Sequence, residues 1–189
     1  MEDRNDIRRK KNMIQYCKRC CLPSTKPHLS FDEEGICNAC RNYENRKNVD
    51  WDERKKELME ILDRYRSKDG SNWDCIIPVS GGKDSTYQVI TMLELGMNPL
   101  CVTATTCDLT DIGRRNIENI KKMGVDYIEV TTNRVVRAKL NRIGLTEVGD
   151  ISWPEHVSIF TVPVRMAVNF NVPLIIWGEN SQNEYGGPA

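Results

Sequence analysis

The sequence lacks an excess of charge of either sign and has no long apolar run. It contains 27 lysines and arginines against 27 aspartates and glutamates, so its formal net charge is zero. Balanced charge gives no overall attraction to a membrane surface and argues against a nucleic-acid partner, which would need clustered lysine and arginine. No stretch of 18 apolar residues occurs, so we expect no transmembrane helix and no membrane partner.

A secretory signal is also missing, because residues 1–11 are charged and contain no apolar segment. Eight cysteines in a chain without such a signal indicate a reducing compartment, with metal-binding or reactive thiols in place of a disulfide framework. We therefore expect the protein in the cytoplasm.

Four of the cysteines form two pairs, Cys17-x-x-Cys20 and Cys37-x-x-Cys40, separated by 16 residues. This spacing is typical of a Cys₄ zinc site, in which four thiolates complete a closed tetrahedron around a structural Zn²⁺ ion. Such an ion can organise a segment that is too short for its own core. The alternatives are a pair of Cys17 with Cys21, a redox dithiol, and unrelated core cysteines. We prefer Cys20, because Cys17-x-x-Cys20 has the same spacing as the second pair.

The length of 189 residues suits one ordinary domain with a small appendage. We expect a tail and zinc knuckle over residues 1–45, a linking amphipathic helix within 46–72, and the main domain over 73–189. Apolar residues recur at helical spacing over 41–66, which predicts one helix there. Strands are predicted over 74–79, 99–104, 127–131 and 173–177, and helices over 85–95, 110–123, 133–143 and 155–170. This alternation predicts an α/β fold with a doubly wound parallel sheet.

The segment Ser-Gly-Gly-Lys-Asp-Ser, residues 80–85, lies between the first predicted strand and the first helix of the main domain. Two glycines let the backbone turn tightly and bring its N–H groups close to an anion at the helix N-terminus. Lys83 adds a positive charge, and Asp84 beside a phosphate makes sense if Mg²⁺ lies between them. The spacing differs from that of a Walker A loop.

This segment resembles the PP-loop of the ATP pyrophosphatases, the adenine-nucleotide α-hydrolase-like (Rossmann-like) superfamily that includes the GMP, NAD and argininosuccinate synthetases and the tRNA thiolation enzymes. The resemblance implies cleavage of ATP between its α and β phosphates, adenylation of a carbonyl oxygen, and a strand order of 3-2-1-4. It implies Lys83 and Asp84 as catalytic residues. The expected ATP-binding residues are Ser80, Gly81, Gly82, Lys83, Asp84, Ser85, Thr86, Thr103, Gly178, Glu179 and Asn180.

For Thr103, and for two further residues near the same edge of the sheet, we also weigh a structural role. Thr103 lies at the end of the second predicted strand, where the superfamily holds adenine and ribose, but packing explains it equally well. Arg114 and Arg115 begin the second helix near the same edge of the sheet. Either could meet a phosphate or a sugar carboxylate, and a solvated helix face is the alternative.

Four signatures occur together in chain order: Tyr-Cys-Lys-Arg-Cys at residues 16–20, Cys-Asn-Ala-Cys-Arg-Asn-Tyr at 37–43, the PP-loop continued by Thr-Tyr-Gln at 86–88, and Ile-Ile-Trp-Gly-Glu-Asn-Ser-Gln-Asn-Glu-Tyr-Gly-Gly at 175–187. Together they resemble the N-acetyl sugar amidotransferase family. This resemblance implies conversion of an acetamido group to an acetamidino group on a sugar of lipopolysaccharide or a flagellar glycan, with ATP, Mg²⁺ and structural Zn²⁺. The last residues read as a loop that is cut off, so we expect a C-terminally truncated member.

The chain contains only two histidines, His28 and His156, and no N-terminal cysteine. A glutaminase needs a nucleophilic cysteine with a histidine base. We therefore expect glutamine hydrolysis in another protein. The family resemblance implies a glutaminase subunit and a cyclase-like subunit that supply ammonia, similar to those of imidazole-glycerol-phosphate synthase.

Two other functions stay open at this point. A tRNA thiolation enzyme also combines a PP-loop with CxxC knuckles and could deliver sulfur through Cys107, although the neutral charge argues against a tRNA partner. The second alternative is an inactive, truncated remnant that binds ATP without turning it over.

Overall fold

The computed structural model describes residues 14–106 and 109–179. Asn180, Cys107 and the predicted C-terminal loop therefore lie outside the described residues. The chain divides into two compact units, one that contains residues 14–55 and Glu179, and one that comprises Lys56–Gly178.

The first unit begins with a turn-rich knuckle. Two antiparallel bridges, Tyr16↔Pro23 and Phe31↔Cys37, fold the chain back on itself. Helix α1 (Asn38–Asn45) follows, with a short 3₁₀ turn (Arg46–Asn48) at its end.

Helix α2 (Trp51–Tyr65) is separate from α1, so the single helix predicted over 41–66 is wrong. The chain is extended at Val49, and the Asp50 carboxylate accepts hydrogen bonds from the backbone N–H groups of Asp52 at 3.1 Å and Glu53 at 3.0 Å. A carboxylate on these first N–H groups starts a new helix. Hydrophobic periodicity did not reveal the break, because apolar spacing continues across it.

The second unit is built on a parallel sheet of three strands, β1 (Cys75–Pro78), β2 (Pro99–Thr105) and β3 (Asp126–Thr131), in the order β1-β2-β3. The helices that follow are α3 (Lys83–Glu94), α4 (Asp111–Lys121), α5 (Arg134–Ile143), a π-helical turn (Gly144–Val148) and α6 (Trp153–Phe170). No helix in the described part of the chain is both long and apolar enough to cross a membrane.

Apolar residues cover both faces of this sheet. Alternate strand residues point to opposite faces, so one strand serves two cores. One core contains Leu62, Cys75, Ile77, Val79, Val89, Met92, Met97, Cys101 and Ile120. The other contains Ile76, Leu100, Val102, Ala167 and Val172. The first core receives side chains from α2, α3 and α4 and the second from α6, which confirms the doubly wound α/β fold.

The predicted fourth strand over 173–177 is reduced to a single parallel bridge between Ile76 and Ile175. Ile76 donates to Leu174 O and accepts from Ile176 N, each at 2.9 Å. In a parallel ladder the next donor on this side of β1 would be residue 78, which is Pro78 and has no N–H group. The bridge lies on the side of β1 opposite β2, in agreement with the implied order 3-2-1-4.

The buried carboxylate of Asp74 holds the loops at the start of β1. It is 4% exposed and accepts hydrogen bonds from the backbone N–H groups of Ser67 at 2.5 Å and Asn98 at 2.7 Å.

Asp74→Ala leaves both donors unpaired, so we expect the free energy of unfolding to fall by about 2–4 kcal/mol in urea denaturation. Asp63→Ala is the control, because that carboxylate is 65% exposed and should contribute less than about 1 kcal/mol. Equal losses in the two variants would contradict this role.

Candidate functional site

The loop over residues 80–82 joins the end of β1 to the start of α3 at the carboxyl edge of the sheet. Gly81 has a left-handed backbone conformation with φ of +79°. A Cβ atom placed on it would lie 3.2 Å from Ile117 Cγ1 and 3.3 Å from the carbonyl oxygen of Gly113. The backbone conformation and the close approach of α4 therefore both require glycine at this position.

Hydroxyl groups occupy the hydrogen-bonding positions inside the loop. Ser85 Oγ and Thr86 Oγ1 donate to the carbonyl oxygen of Gly82 at 3.2 and 2.9 Å. The N–H groups of Gly82 and Ser80 reach Ser80 Oγ and Ser85 Oγ only at 3.4 Å each. Because hydrogen bonds of this length are weak, an anion at the start of α3 can take over both donors.

Lys83 and Asp84 lie in the first turn of α3, which begins two residues before the helix predicted over 85–95. Lys83 Nζ lies 2.6 Å from Asp84 Oδ1, and the two side chains are 87% and 74% exposed. An exposed ion pair of this kind contributes little to stability. Both charged groups are thus free to turn toward a phosphate or a magnesium ion, and their catalytic roles stay predictions.

Thr103 is buried in β2, where its side chain is 5% exposed. Its hydroxyl donates to the carbonyl oxygen of Val79 and contacts the hydroxyl of Tyr127. Burial raises the pKa of Tyr127 and outweighs the opposing hydrogen bond from Thr103. Thr103 thus fixes the chain just before the loop, whereas its predicted contact with ATP stays a prediction.

The segment after the single bridge approaches α3 at Gly178. A Cβ atom on Gly178 would lie 3.1 Å from Gln88 Oε1, one turn into the helix that begins at Lys83. The structure therefore places Gly178 beside the helix that follows the predicted PP-loop, and its contact with ATP stays a prediction. Glu179 is exposed, and Asn180 lies outside the described residues.

Toward the carboxyl ends of β2 and β3 lies a polar network that the sequence did not reveal. Arg114 Nη1 contacts both carboxylate oxygens of Glu129, at 2.9 and 3.1 Å, and Thr105 donates to Glu129 Oε1 at 2.7 Å. The bond from Thr105 and the pairing with Arg114 lower the pKa of Glu129. One of the two arginines considered from the sequence thus has a defined partner. In the sequence, Glu129 stood out only as a carboxylate within a predicted apolar strand.

Four cysteine sulfurs form a cluster in the first unit. The Sγ atoms of Cys17, Cys20, Cys37 and Cys40 all lie within 4.8 Å of one another. Cys20 and Cys37 are 3.5 Å apart, and Cys17 and Cys40 are 4.0 Å apart. A tetrahedral ZnS₄ centre with Zn–S bonds of about 2.3 Å needs sulfur separations of about 3.8 Å.

The surroundings of the cluster also suit thiolate ligands. Burial opposes the ionisation of Cys17, but backbone N–H groups, among them those of Arg19 and Cys37, outweigh it and lower its pKa to about 6. Burial and the neighbouring thiols raise the pKa of Cys40 to about 12. Sulfurs this close repel one another once charged, so a bound cation is what allows all four to ionise. The residues present thus fit a structural zinc ion.

Comparisons with known proteins agree with the fold. No protein-family model matches the chain. An uncharacterized protein of Methanocaldococcus jannaschii is 31% identical over 108 residues, which make up 56% of this chain and 38% of that relative. The chain therefore spans well under half of the relative's length.

Two solved structures share the architecture. The NMN synthetase of Francisella tularensis superposes with a TM-score of 0.51 at 14% identity, over 69% of this chain and 55% of that one. The NH₃-dependent NAD synthetase of Campylobacter jejuni superposes with a TM-score of 0.52 at 13% identity, over 71% and 58%. At such identities the likeness shows the fold alone, and it covers little more than half of each synthetase. The chain therefore has the α/β fold of the NAD and NMN synthetases, in agreement with the PP-loop superfamily to which residues 80–85 point.

Proposed function

We propose that the protein is an ATP-dependent amidotransferase that forms a carbon–nitrogen bond and releases AMP and pyrophosphate. The observation that carries this proposal is the loop before α3. Its left-handed Gly81, its two weakly engaged N–H groups and the exposed Lys83 together form a site for a polyphosphate at a helix N-terminus. The shared fold with two synthetases supports the same reaction class.

The chain's own residues would act on the leaving group of ATP. The N–H groups of Ser80 and Gly82 and the Lys83 ammonium group bind the β and γ phosphates and stabilise the charge that develops on pyrophosphate. Asp84 would hold Mg²⁺, which neutralises part of that charge when bound. The hydroxyls of Ser85 and Thr86 keep the Gly82 carbonyl directed into the helix and away from the anion.

For the acceptor we propose the acetamido group of an N-acetyl sugar, a nucleotide sugar in particular. The amide oxygen attacks the α phosphorus and pyrophosphate leaves, so that the oxygen becomes a good leaving group. Ammonia then adds to the amide carbon, AMP departs with the former amide oxygen, and loss of a proton gives the acetamidino sugar. The two cysteine pairs and the segment that begins at Ile175 support this choice through their family resemblance.

Ammonia would come from a glutaminase subunit and a cyclase-like subunit, which the family resemblance implies. A glutaminase needs a cysteine nucleophile with a histidine base, and this sequence contains only two histidines. We propose a cytoplasmic location, because a reducing compartment keeps the four cysteines available as ligands of one zinc ion. We further propose that the knuckle over 1–45, the linker over 46–72 and the PP-loop domain over 73–189 act together in this reaction.

This proposal predicts that AMP and pyrophosphate form in equal amounts only when ATP, Mg²⁺, an acetamido nucleotide sugar and ammonium chloride are all present. UDP-N-acetylglucosamine is a suitable first acceptor. If its acetamido oxygen is labelled with ¹⁸O, the label should appear in AMP, which mass spectrometry detects. Label retained in the sugar would contradict adenylation of the amide.

The competing functions give different results in the same assay. Pyrophosphate release that depends on tRNA and a sulfur donor would replace the amidotransferase with a thiolation enzyme. Binding of ATP without release of pyrophosphate under any of these conditions would identify an inactive nucleotide-binding protein. As a control in this assay, Lys122→Ala should release pyrophosphate at the wild-type rate, because Lys122 lies at the end of α4 that is far from the loop.

A further inference from the structure

A side chain from another helix, α4, contacts the glycine backbone of the loop directly. Asn116, in the second turn of α4, donates from Nδ2 to the carbonyl oxygen of Gly81 at 3.0 Å. The next residue, Ile117, is fully buried, and a Cβ atom on Gly81 would lie 3.2 Å from its Cγ1. Helix α4 therefore holds the Gly81 carbonyl with one hydrogen bond and packs close to this part of the loop.

The hydrogen bond fixes the orientation of the peptide group between Gly81 and Gly82. In a trans peptide the C=O and N–H groups point in opposite directions, and no cis peptide occurs among the described residues. With the carbonyl directed at Asn116, the N–H group of Gly82 points to the other side, where it reaches Ser80 Oγ at 3.4 Å. This is the side on which an anion would bind.

A peptide between two glycines rotates more easily than any other, because neither residue has a Cβ atom that restricts it. Without a partner for the Gly81 carbonyl, this peptide could turn over. A carbonyl oxygen in place of the N–H group would then face the phosphate and repel it. A PP-loop of this sequence thus needs a fixed donor behind it, and Asn116 supplies one.

We propose that Asn116 is a positioning residue that keeps the loop in its anion-binding state. It acts through the Gly81–Gly82 peptide and does not itself touch the phosphates. This role deepens the proposed function and rests on it, since it assumes that the loop binds pyrophosphate.

The test measures binding of magnesium pyrophosphate to the full chain by calorimetry. Asn116→Ala should raise the Kd about tenfold, which corresponds to about 1.4 kcal/mol and to one lost hydrogen bond with some loss of order. Asn116→Asp has nearly the same shape but lacks the donor and adds a negative charge, so its loss should be larger. In turnover assays both variants should raise KM for ATP and leave KM for the sugar unchanged.

The matched control is Asn119→Ala, because Asn119 is an exposed asparagine on the same helix. It should bind pyrophosphate as the wild type does, with a melting temperature close to that of Asn116→Ala. In NMR spectra, the Gly82 amide should shift on addition of pyrophosphate in the wild type and much less in Asn116→Ala. A Kd for Asn116→Ala within twofold of the wild type would overturn the positioning role alone. Failure of the wild-type chain to bind pyrophosphate would overturn the proposed function as well.

Discussion

Serine in place of both Cys37 and Cys40 should remove one equivalent of zinc and unfold the knuckle. Of residues 14–55, all of which the structure describes, only Cys17, Gly35 and Cys37 are buried, so this segment has almost no apolar core. Zinc binding supplies about 10–16 kcal/mol of folding free energy in zinc-finger peptides. Metal analysis should give one zinc per chain in the wild type and none in the double variant, and proteases should cleave the knuckle of the variant first.

Cys21→Ser is the matched control for this experiment. Cys21 lies beside Cys20 in sequence, but it is exposed with φ of +60° and its sulfur is not part of the cluster. Its replacement should therefore leave zinc content and protease resistance unchanged. Full zinc content in the Cys37→Ser/Cys40→Ser variant would rule out the Cys₄ site, whereas zinc lost from Cys21→Ser would favour the alternative pairing.

Lys83→Ala should lower the rate of pyrophosphate release about 10²- to 10³-fold and leave the fold intact. In the proposed reaction the ammonium group faces the charge that develops on the leaving pyrophosphate, and loss of one such donor typically has an effect of about this size. The stability of the chain should change by less than about 1 kcal/mol, because the side chain is 87% exposed and its ion pair with Asp84 is exposed too. Turnover kinetics and urea denaturation on the same preparation separate the two effects.

Lys122→Ala provides the comparison, since it removes an exposed lysine from the opposite end of α4. A rate close to that of the wild type in Lys83→Ala would move the catalytic site away from the loop. Loss of activity together with unfolding would assign Lys83 a structural role, which its exposure argues against.

The candidate site divides into parts that are continuous in sequence and parts that are not. Residues 80–85 predicted the turn, the start of α3 and an anion site, because glycine conformation and helix termini are local properties. The support of that turn is not local. Asn116 contacts a residue 35 positions away, and Thr103 reaches Val79 and Tyr127, each 24 positions away.

The same contrast explains the two errors in the elements. The break between α1 and α2 depends on one side-chain cap at Asp50, which apolar spacing does not register. The fourth strand is lost because Pro78, which has no N–H group, lies on the side of β1 that pairs with residues 174–176. Only the pairing register shows which side of β1 this is.

The sequence by itself determined the α/β class, the loop between β1 and α3, and the four cysteines that cluster in the knuckle. It could do so because alternating elements, glycine turns and CxxC pairs are written in neighbouring residues. Only the tertiary structure decided that α4 holds the Gly81 carbonyl, that Glu129 pairs with Arg114, and that Thr103 serves the end of β1. These contacts join separate elements, and they exist only once the sheet register and the packing of the helices have brought those elements together.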